Sequence, residues 1–201
     1  MQFIISHLHT ISFYIFAVAL AIQLFYYLFF YARVAFHKKR PSNAEKTPVS
    51  VIVCARNEAE NLAKFLPKIL EQDYPDFEVI VINDASMDET EMLLGQMRTK
   101  YPNLRVTNLI EDEKFKHGKK YVLTVGLKSA KYDTVLLTDA DCYPASDKWL
   151  FTMQQGFDWG KEIVLGYGGY QERKGLLNKI VRFDTLYVAM NYMGFALAKI
   201  P

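Results

Sequence analysis

The sequence predicts an α/β fold, a mostly parallel sheet with helices on both faces, preceded by one transmembrane helix. Three observations carry this reading. Phe3 to Ala32 form a 30-residue stretch without Asp, Glu, Lys or Arg. Beyond it, short runs rich in Val, Ile and Leu alternate with segments whose apolar residues recur at helical spacing. Polar and acidic residues collect directly after those runs, at the strand ends where open parallel sheets bind ligands.

The uncharged stretch comes first. A bilayer core takes roughly 20 apolar helical residues, so one span fits with length to spare. Its aromatic residues cluster toward the end, through Phe25, Tyr26, Tyr27, Phe29 and Phe30, ahead of Arg33 and His37-Lys38-Lys39-Arg40. That order suits a membrane interface. A cleaved signal peptide would need a basic start, a shorter apolar core and a small-residue cleavage site, and all three are missing. The reading is therefore a retained anchor over residues 1–40, single-pass in the cell membrane, with the lipid bilayer as a partner. The basic cluster follows the span, which places the rest of the chain on the cytoplasmic side. Residues 41–48 read as a short polar linker bounded by Pro41 and Pro48.

The soluble elements follow in order. Val49 to Cys54 is a β-branched run of strand length, and Glu58 to Gln72 shows helical spacing through Leu62, Phe65, Leu66, Ile69 and Leu70. Pro67 sits inside that pattern and is expected to kink or shorten the helix. Phe77 to Ile82 reads as a second strand, and Ser86-Met87-Asp88-Glu89 as a capping box opening a helix through Met97. A third strand is expected over Leu104–Leu109, a helix over Lys119–Ala130 and a fourth strand over Thr134–Thr138. A helix over Trp149–Phe157 and a fifth strand over Glu162–Leu165 complete the pattern. Nearly continuous apolar strands alternating with helices mean a parallel sheet covered on both faces. The tail from Leu176 to Ile200 is apolar at helical density, which suits either packing against protein or lying on a bilayer.

Composition narrows the function classes. The first 40 residues hold four of the 24 basic side chains and none of the 22 acidic ones, leaving residues 41–201 slightly acidic. A nucleic-acid partner held by phosphate neutralisation is not expected from that balance. Cys54 and Cys142 are the only cysteines, too few for a disulfide framework or a Cys-rich zinc module. The first strand–helix turn has no G-x-G-x-x-G, and no P-loop, H-E-x-x-H or G-x-S-x-G occurs. His7, His9, His37 and His117 have no second His at ligand spacing on a helix.

The rim candidates are Ala55, Arg56, Asn57 and Glu58 after the first strand, Asn83 and Asp84 after the second, and Asp139-Ala140-Asp141 after the fourth. Asn83 and Asp84 suit a turn-and-cap role as well as a ligand contact. Residues i and i+2 leaving a strand share a face, so Asp139 and Asp141 can approach one point. Two hard oxygen donors, completed by phosphate oxygens and water, suit Mg²⁺ or Mn²⁺; a pair of solvated turn residues leading to Pro144 is the alternative. Gly118-Lys119 opens a helix, where free amides and a point charge suit an anion; a solvent-facing lysine fits the same residues.

Together these residues resemble the family 2 glycosyltransferases, inverting and membrane-associated enzymes that use nucleotide-diphosphate sugars. The resemblance runs from Val49 to Pro201. Val49 to Glu58 is similar to the family's opening strand and its Arg-Asn-Glu turn. Val79 to Thr90 resembles V-[DN]-D-x-S-x-D-x-T, with Asn83 where many relatives have Asp. Gly118, Lys119, Leu123 and Gly126 resemble G-K-x-x-x-L-x-x-G, and Val135 to Pro144 resembles the D-x-D strand. The resemblance implies an A-type glycosyltransferase fold with a Rossmann-like nucleotide-sugar-binding half over residues 49–201. It also implies a nucleotide-diphosphate-sugar donor and a saccharide or lipid-linked acceptor, with metal-assisted, inverting transfer. By the same analogy Ala55, Arg56 and Glu58 belong to the nucleotide pocket, with Arg56 against the base, and Asn83 and Asp84 face base and ribose. Lys119 contacts the diphosphate, Asp139 lies beside the ribose or metal-bound water, and Asp141 binds the metal.

Inversion needs a general base, which relatives carry in a T-E-D-like segment well beyond the D-x-D strand. Asp158, Glu162, Glu172 and Asp184 follow Asp141 here, and none stands in such a motif. The expectation is of a donor-binding half without its acceptor half, binding donor but transferring poorly. Two other functions use the same residues. A metal-dependent phosphatase or nucleotidyltransferase would also use an Asp pair, though the phosphatase pattern D-x-D-x-[TV] follows a first strand. A non-catalytic membrane-anchored partner would explain the missing base.

Overall fold

The computed structural model describes residues 2–38, 46–110, 118–157 and 161–200. The chain divides into two compact units, Met1–Pro41 with Leu165–Pro201, and Ser42–Val164. The apolar tail groups with the N-terminal helix in the first of these units.

The central unit is a four-stranded, wholly parallel sheet. Its strands are β1 (Val49–Ala55), β2 (Phe77–Asp84), β3 (Leu104–Leu109) and β4 (Thr134–Asp139), in spatial order β3-β2-β1-β4. Val51 of β1 lies opposite Val79 of β2 on one side and Leu136 of β4 on the other. Alternation sorts the side chains onto two covered faces. On one face Val49, Val51, Val53, Val79 and Val81 pack under α3 (Ala59–Leu70) and α4 (Thr90–Lys100) through Leu62, Leu66, Ile69 and Leu94. On the other, Ile52, Ile80 and Ile82 pack under Val122 of α5 (Lys119–Ser129). Strand order reverses at β1, since the chain steps outward to β2 and β3 and then returns to the far side as β4. The crevice beyond the carboxyl ends of β1 and β4 is thus the topological switch point.

The opposite end of the sheet holds a buried charge that sequence reading passed over. Glu78, 6% exposed, accepts from the Ser50 hydroxyl at 2.7 Å, the Lys131 amide at 2.7 Å and the Arg105 guanidinium at 2.9 Å. The Ser50 oxygen in turn accepts from the Tyr132 amide. This knot joins the starts of β1, β2 and β3 to the approach to β4.

Several elements differ from expectation. β1 and β2 run one and two residues further, so Ala55, Asn83 and Asp84 are strand residues. Pro67 lies in the last turn of an unbroken α3, where its missing N–H costs one bond near the helix end. Ser86 to Glu89 form no capping box: α4 starts at Thr90, and the Ser86 hydroxyl accepts from the Asn57 amide instead. The helix at Trp149 is α6 (Trp149–Gln154) followed by a 3₁₀ turn, Gln155–Phe157. Residues 162–165 make no strand, having no ladder beyond β4, and Ile163 is exposed. Residues 41–45 of the expected linker, with His117 and Asp158, lie outside the described residues.

In the other unit α1 (Gln2–Tyr26) runs into a π-helical turn, Tyr27–Tyr31, and α2 (Ala32–Ala35). Among the described residues one helix, His9–Ala35, is long and apolar enough to cross a membrane. Its end packs on α7 (Leu176–Leu197), where the Tyr31 hydroxyl donates to Asn191 at 3.1 Å and the Phe30 and Phe195 rings lie 4.7 Å apart. Gly194 lets the two backbones approach, since a Cβ there would sit 3.3 Å from the Phe30 carbonyl oxygen.

Candidate functional site

Three loops leave the carboxyl ends of β1, β2 and β4. Register brings them together: Cys54 lies opposite Asp139, and Ala55 opposite Asn83. Asn57 (φ 57°) and Ala85 (φ 48°) both take left-handed backbone, which an Asn tolerates and an Ala adopts at a cost of about 1–2 kcal/mol. The loops compensate by bonding to one another. The Asn57 amide donates to the Ser86 hydroxyl (2.9 Å), and the Met87 amide donates to the Asn57 side chain (2.8 Å). The Glu58 amide donates to the Thr90 hydroxyl, and the Ala59 amide to Asp88. Asp88 also accepts from the Thr90 amide. Its carboxyl is held below the ordinary value, foremost by the Thr90 hydroxyl and, against a smaller burial effect, by the Ala59 and Thr90 amides.

This frame sets Arg56 against Asp84 at 3.6 Å, with the guanidinium half-exposed and the carboxylate nearly covered. An exposed planar cation beside a strand-end carboxylate offers a stacking surface and a hydroxyl acceptor in one place. Ala55 is buried and contributes backbone only. Glu58 is half-buried and accepts from the Asn61 amide group at 2.6 Å. Asn83 is more deeply set than its neighbours on the rim. It is 2% exposed, its amide donates to Asn108 at 3.1 Å, and its oxygen accepts from the Ser86 amide. These two bonds tie Asn83 into the frame of the β2 loop.

On the β4 side, Lys119 begins α5 and its ammonium lies 2.8 Å from Asp139 Oδ1, both side chains being mostly exposed. Its pKa is raised, first by the hydrogen bond to Asp139 and then by the Asp139 charge, with Asp141 adding further. Gly126 seats α5 closely on the sheet, because a Cβ at that position would lie 2.6 Å from Ile52 Cγ2. Cys54 lies half-buried beneath this pair. Burial pushes its thiol pKa up, Lys119 pulls the other way, and Asp139 and Asp84 add to the rise, so the group stays a thiol at neutral pH. Asp141 stands exposed in the turn closed by the Cys142 amide on the Asp139 carbonyl (3.1 Å), and accepts a weak bond from the Cys142 thiol.

The donor set can be tested against a divalent cation. Among the described residues no group of three His, Cys, Asp or Glu converges. Two exposed carboxylates two residues apart do fit Mg²⁺ or Mn²⁺, which commonly take one or two protein carboxylates and complete their shell with substrate phosphates and water. A pair of this kind needs an anionic ligand to finish the site. Two clefts lie away from the rim, one of about 300 Å³ beside Tyr26, Tyr31 and Asn191, and one of about 270 Å³ beside Glu91, Arg98 and Asn108. Neither carries such a charge arrangement, and chemistry favours the rim.

Sequence reasoning missed the framing role of Asn57, Ser86, Asp88, Thr90 and Asn108. Their signal was short polar residues closely following two strands. Among the later carboxylates, Glu172 pairs with Arg182 at 3.4 Å and Asp184 lies within α7.

Comparisons with known proteins bear on the family and the fold. The family model of Glycosyl transferase family 2 matches residues 50–193. Glycosyltransferase AglE of Haloferax volcanii is 36% identical over 104 residues, covering 51% of this chain and 33% of that protein. Poly-beta-1,6-N-acetyl-D-glucosamine synthase of Staphylococcus epidermidis is 28% identical over 134 residues, covering 66% and 31%. The chain spans about a third of the length of these curated relatives. The solved mannosyltransferase PcManGT of Pyrobaculum calidifontis, in complex with GDP-Man and Mn²⁺, is similar with a TM-score of 0.56 and 29% identity, over 72% of this chain and 44% of that one.

Proposed function

Because the chain belongs to glycosyl transferase family 2, we propose that it binds a nucleotide-diphosphate sugar at the β1–β4 rim and takes part in inverting transfer of that sugar. The acceptor is a saccharide or lipid-linked molecule at the cytoplasmic face of the membrane. Residues 1–40 are the anchor and its basic flank, and 41–48 the linker to the transferase segment. One observation carries the reading: the Lys119–Asp139 pair at 2.8 Å, with Asp141 two residues on. A cation at a helix start and two strand-end carboxylates are the charges needed to hold a diphosphate with a metal.

The residues divide the work. Arg56 lies along the base, and Asp84, oriented by Arg56, accepts from ribose hydroxyls. Lys119 and Asp139 neutralise one another until a diphosphate arrives beside the first turn of α5. There Lys119 gains a more highly charged partner, and the free amides of the helix start receive phosphate oxygens. A divalent cation held by Asp141 and Asp139 would neutralise the charge on the departing nucleoside diphosphate.

The test is calorimetric titration of the full chain with UDP- and GDP-sugars, with and without Mn²⁺. Asp141→Ala is expected to abolish the Mn²⁺-dependent part of binding while circular dichroism stays unchanged. Equal Mn²⁺-dependent binding by wild type and variant would refute the assignment.

A further inference from the structure

We propose that Tyr143, stacked on Phe65 of α3, is a positioning residue that fixes Asp141 at the rim; the inference rests on the donor-site reading above. Asp141 is exposed, and the bond it accepts at 3.5 Å comes from the Cys142 thiol, a weak donor. Its place is therefore set by the chain on either side. Upstream, β4 and the turn from Cys142 N to the Asp139 carbonyl hold Asp139. Downstream, the Tyr143 ring lies nearly parallel to Phe65, with centroids 5.0 Å apart and planes at 23°. The Lys68 ammonium is 4.3 Å from the Tyr143 centroid.

Pro144 follows, buried, and confines Tyr143 to extended backbone. The next residues are tied to the end of α3 as well: Gln72 donates to the Ser146 carbonyl at 2.9 Å, and the Asp73 amide to the Asp147 carbonyl at 2.8 Å. Two residues of chain reach at most about 7 Å, so a Tyr143 held flat on Phe65 leaves Asp141 only a short arc. A flat ring contact restrains orientation, which an aliphatic side chain of similar bulk does not. Neither aromatic belongs to the rim itself, and the sequence gives no sign that they meet.

The experiment measures UDP and GDP binding by the full chain in detergent, with and without Mn²⁺, for wild type, Tyr143→Leu, Phe65→Leu, the double variant and Tyr143→Phe. Each Leu variant should weaken Mn²⁺-dependent binding about tenfold, the usual effect of losing a group that orients a metal ligand. Metal-free nucleotide binding and the melting midpoint should not move. The double variant should be no weaker than either single one, because the same stack is broken once, and Tyr143→Phe should restore wild-type behaviour. Leu variants that keep full Mn²⁺-dependent affinity would overturn the proposal alone. So would Leu variants that lose metal-free binding to the same extent. A wild-type chain with no Mn²⁺-dependent binding of either nucleotide would overturn the donor-site reading and this proposal together.

Discussion

Glu78 gives the sharpest test of what holds the sheet together. Burial alone would push its carboxyl pKa up. The Ser50 hydroxyl, the Arg105 guanidinium and the Lys131 amide outweigh burial and hold it below the ordinary 4.5. Glu78→Ala removes the acceptor for a Ser50 hydroxyl that is 0% exposed and for the Lys131 amide. Two stranded donors at about 1–3 kcal/mol each give roughly 3–4 kcal/mol, the lower part of the summed range, because the Lys131 amide can reach water. Arg105 is half-exposed and turns to solvent, so its pairing adds less than about 1 kcal/mol. Glu78→Gln keeps an acceptor for Ser50 and Lys131 but loses the Arg105 bond and the charge that strengthens the other two, so about 1–2 kcal/mol is expected. The sign of the pH dependence follows from the depressed folded-state pKa. The contribution of Glu78 is fully present above the ordinary value of 4.5 and fades as pH falls through the lower folded value. Urea unfolding of the full chain in detergent, followed by tryptophan fluorescence, should show both variants weaker at pH 7. The gap between wild type and Glu78→Gln should narrow as pH drops below 4.5. A variant as stable as wild type at pH 7, or a gap indifferent to pH, would refute this account.

Three further outcomes are expected. Gly126→Ala should destabilise by about 1–3 kcal/mol from overpacking on Ile52, less about 1 kcal/mol of helix propensity, and Ile52→Val should recover part of the loss in the double variant. Asn57→Gly should cost less than Asn57→Ala by about 1 kcal/mol in the same urea assay, since both lose the bond from Met87 but only Gly accepts φ 57° freely. Protease added outside intact cells should leave residues 41–201 uncut, and digestion of that segment would reverse the proposed orientation.

The parallel sheet was legible because its strands are buried on both faces and read as unbroken Val and Ile runs, as in Val79-Ile80-Val81-Ile82. Charge at the rim was legible for the same reason: Arg56, Asp84 and Asp139 end those runs abruptly. The state of each charge was not. Asn83 and Asp84 are adjacent and similar in character, yet alternation turns Asn83 into the frame and leaves Asp84 at Arg56. Nothing local distinguishes them. Ser86-Met87-Asp88-Glu89 matched a capping box by composition, but Ser86 and Asp88 meet amides near residue 57, a contact set by strand pairing rather than by neighbours in sequence. Glu78 was invisible because a single Glu in an apolar strand declares neither its depth nor its partners.

Those long-range contacts converge on α3. Its first turn is tied to the β2 loop through the Glu58 and Ala59 amides, its middle carries Phe65 and Lys68 beneath Tyr143, and the turn after it holds Ser146 and Asp147 through Gln72 and Asp73. The Arg56–Asp84 side and the Asp139–Asp141 side are thus fastened to one rigid rod, although 55 residues or more separate them in sequence. Leu62, Leu66, Ile69 and Leu70 lock that rod onto β1 and β2, so it cannot slide without breaking the core. On the donor-site proposal, a nucleotide and a metal-bound diphosphate must be gripped at a fixed separation. With loops of left-handed and turn backbone at both ends, the separation is set by α3 rather than by the loops. This makes α3 the element through which a change at Asn57 should be felt at Asp141, with the sheet beneath unmoved.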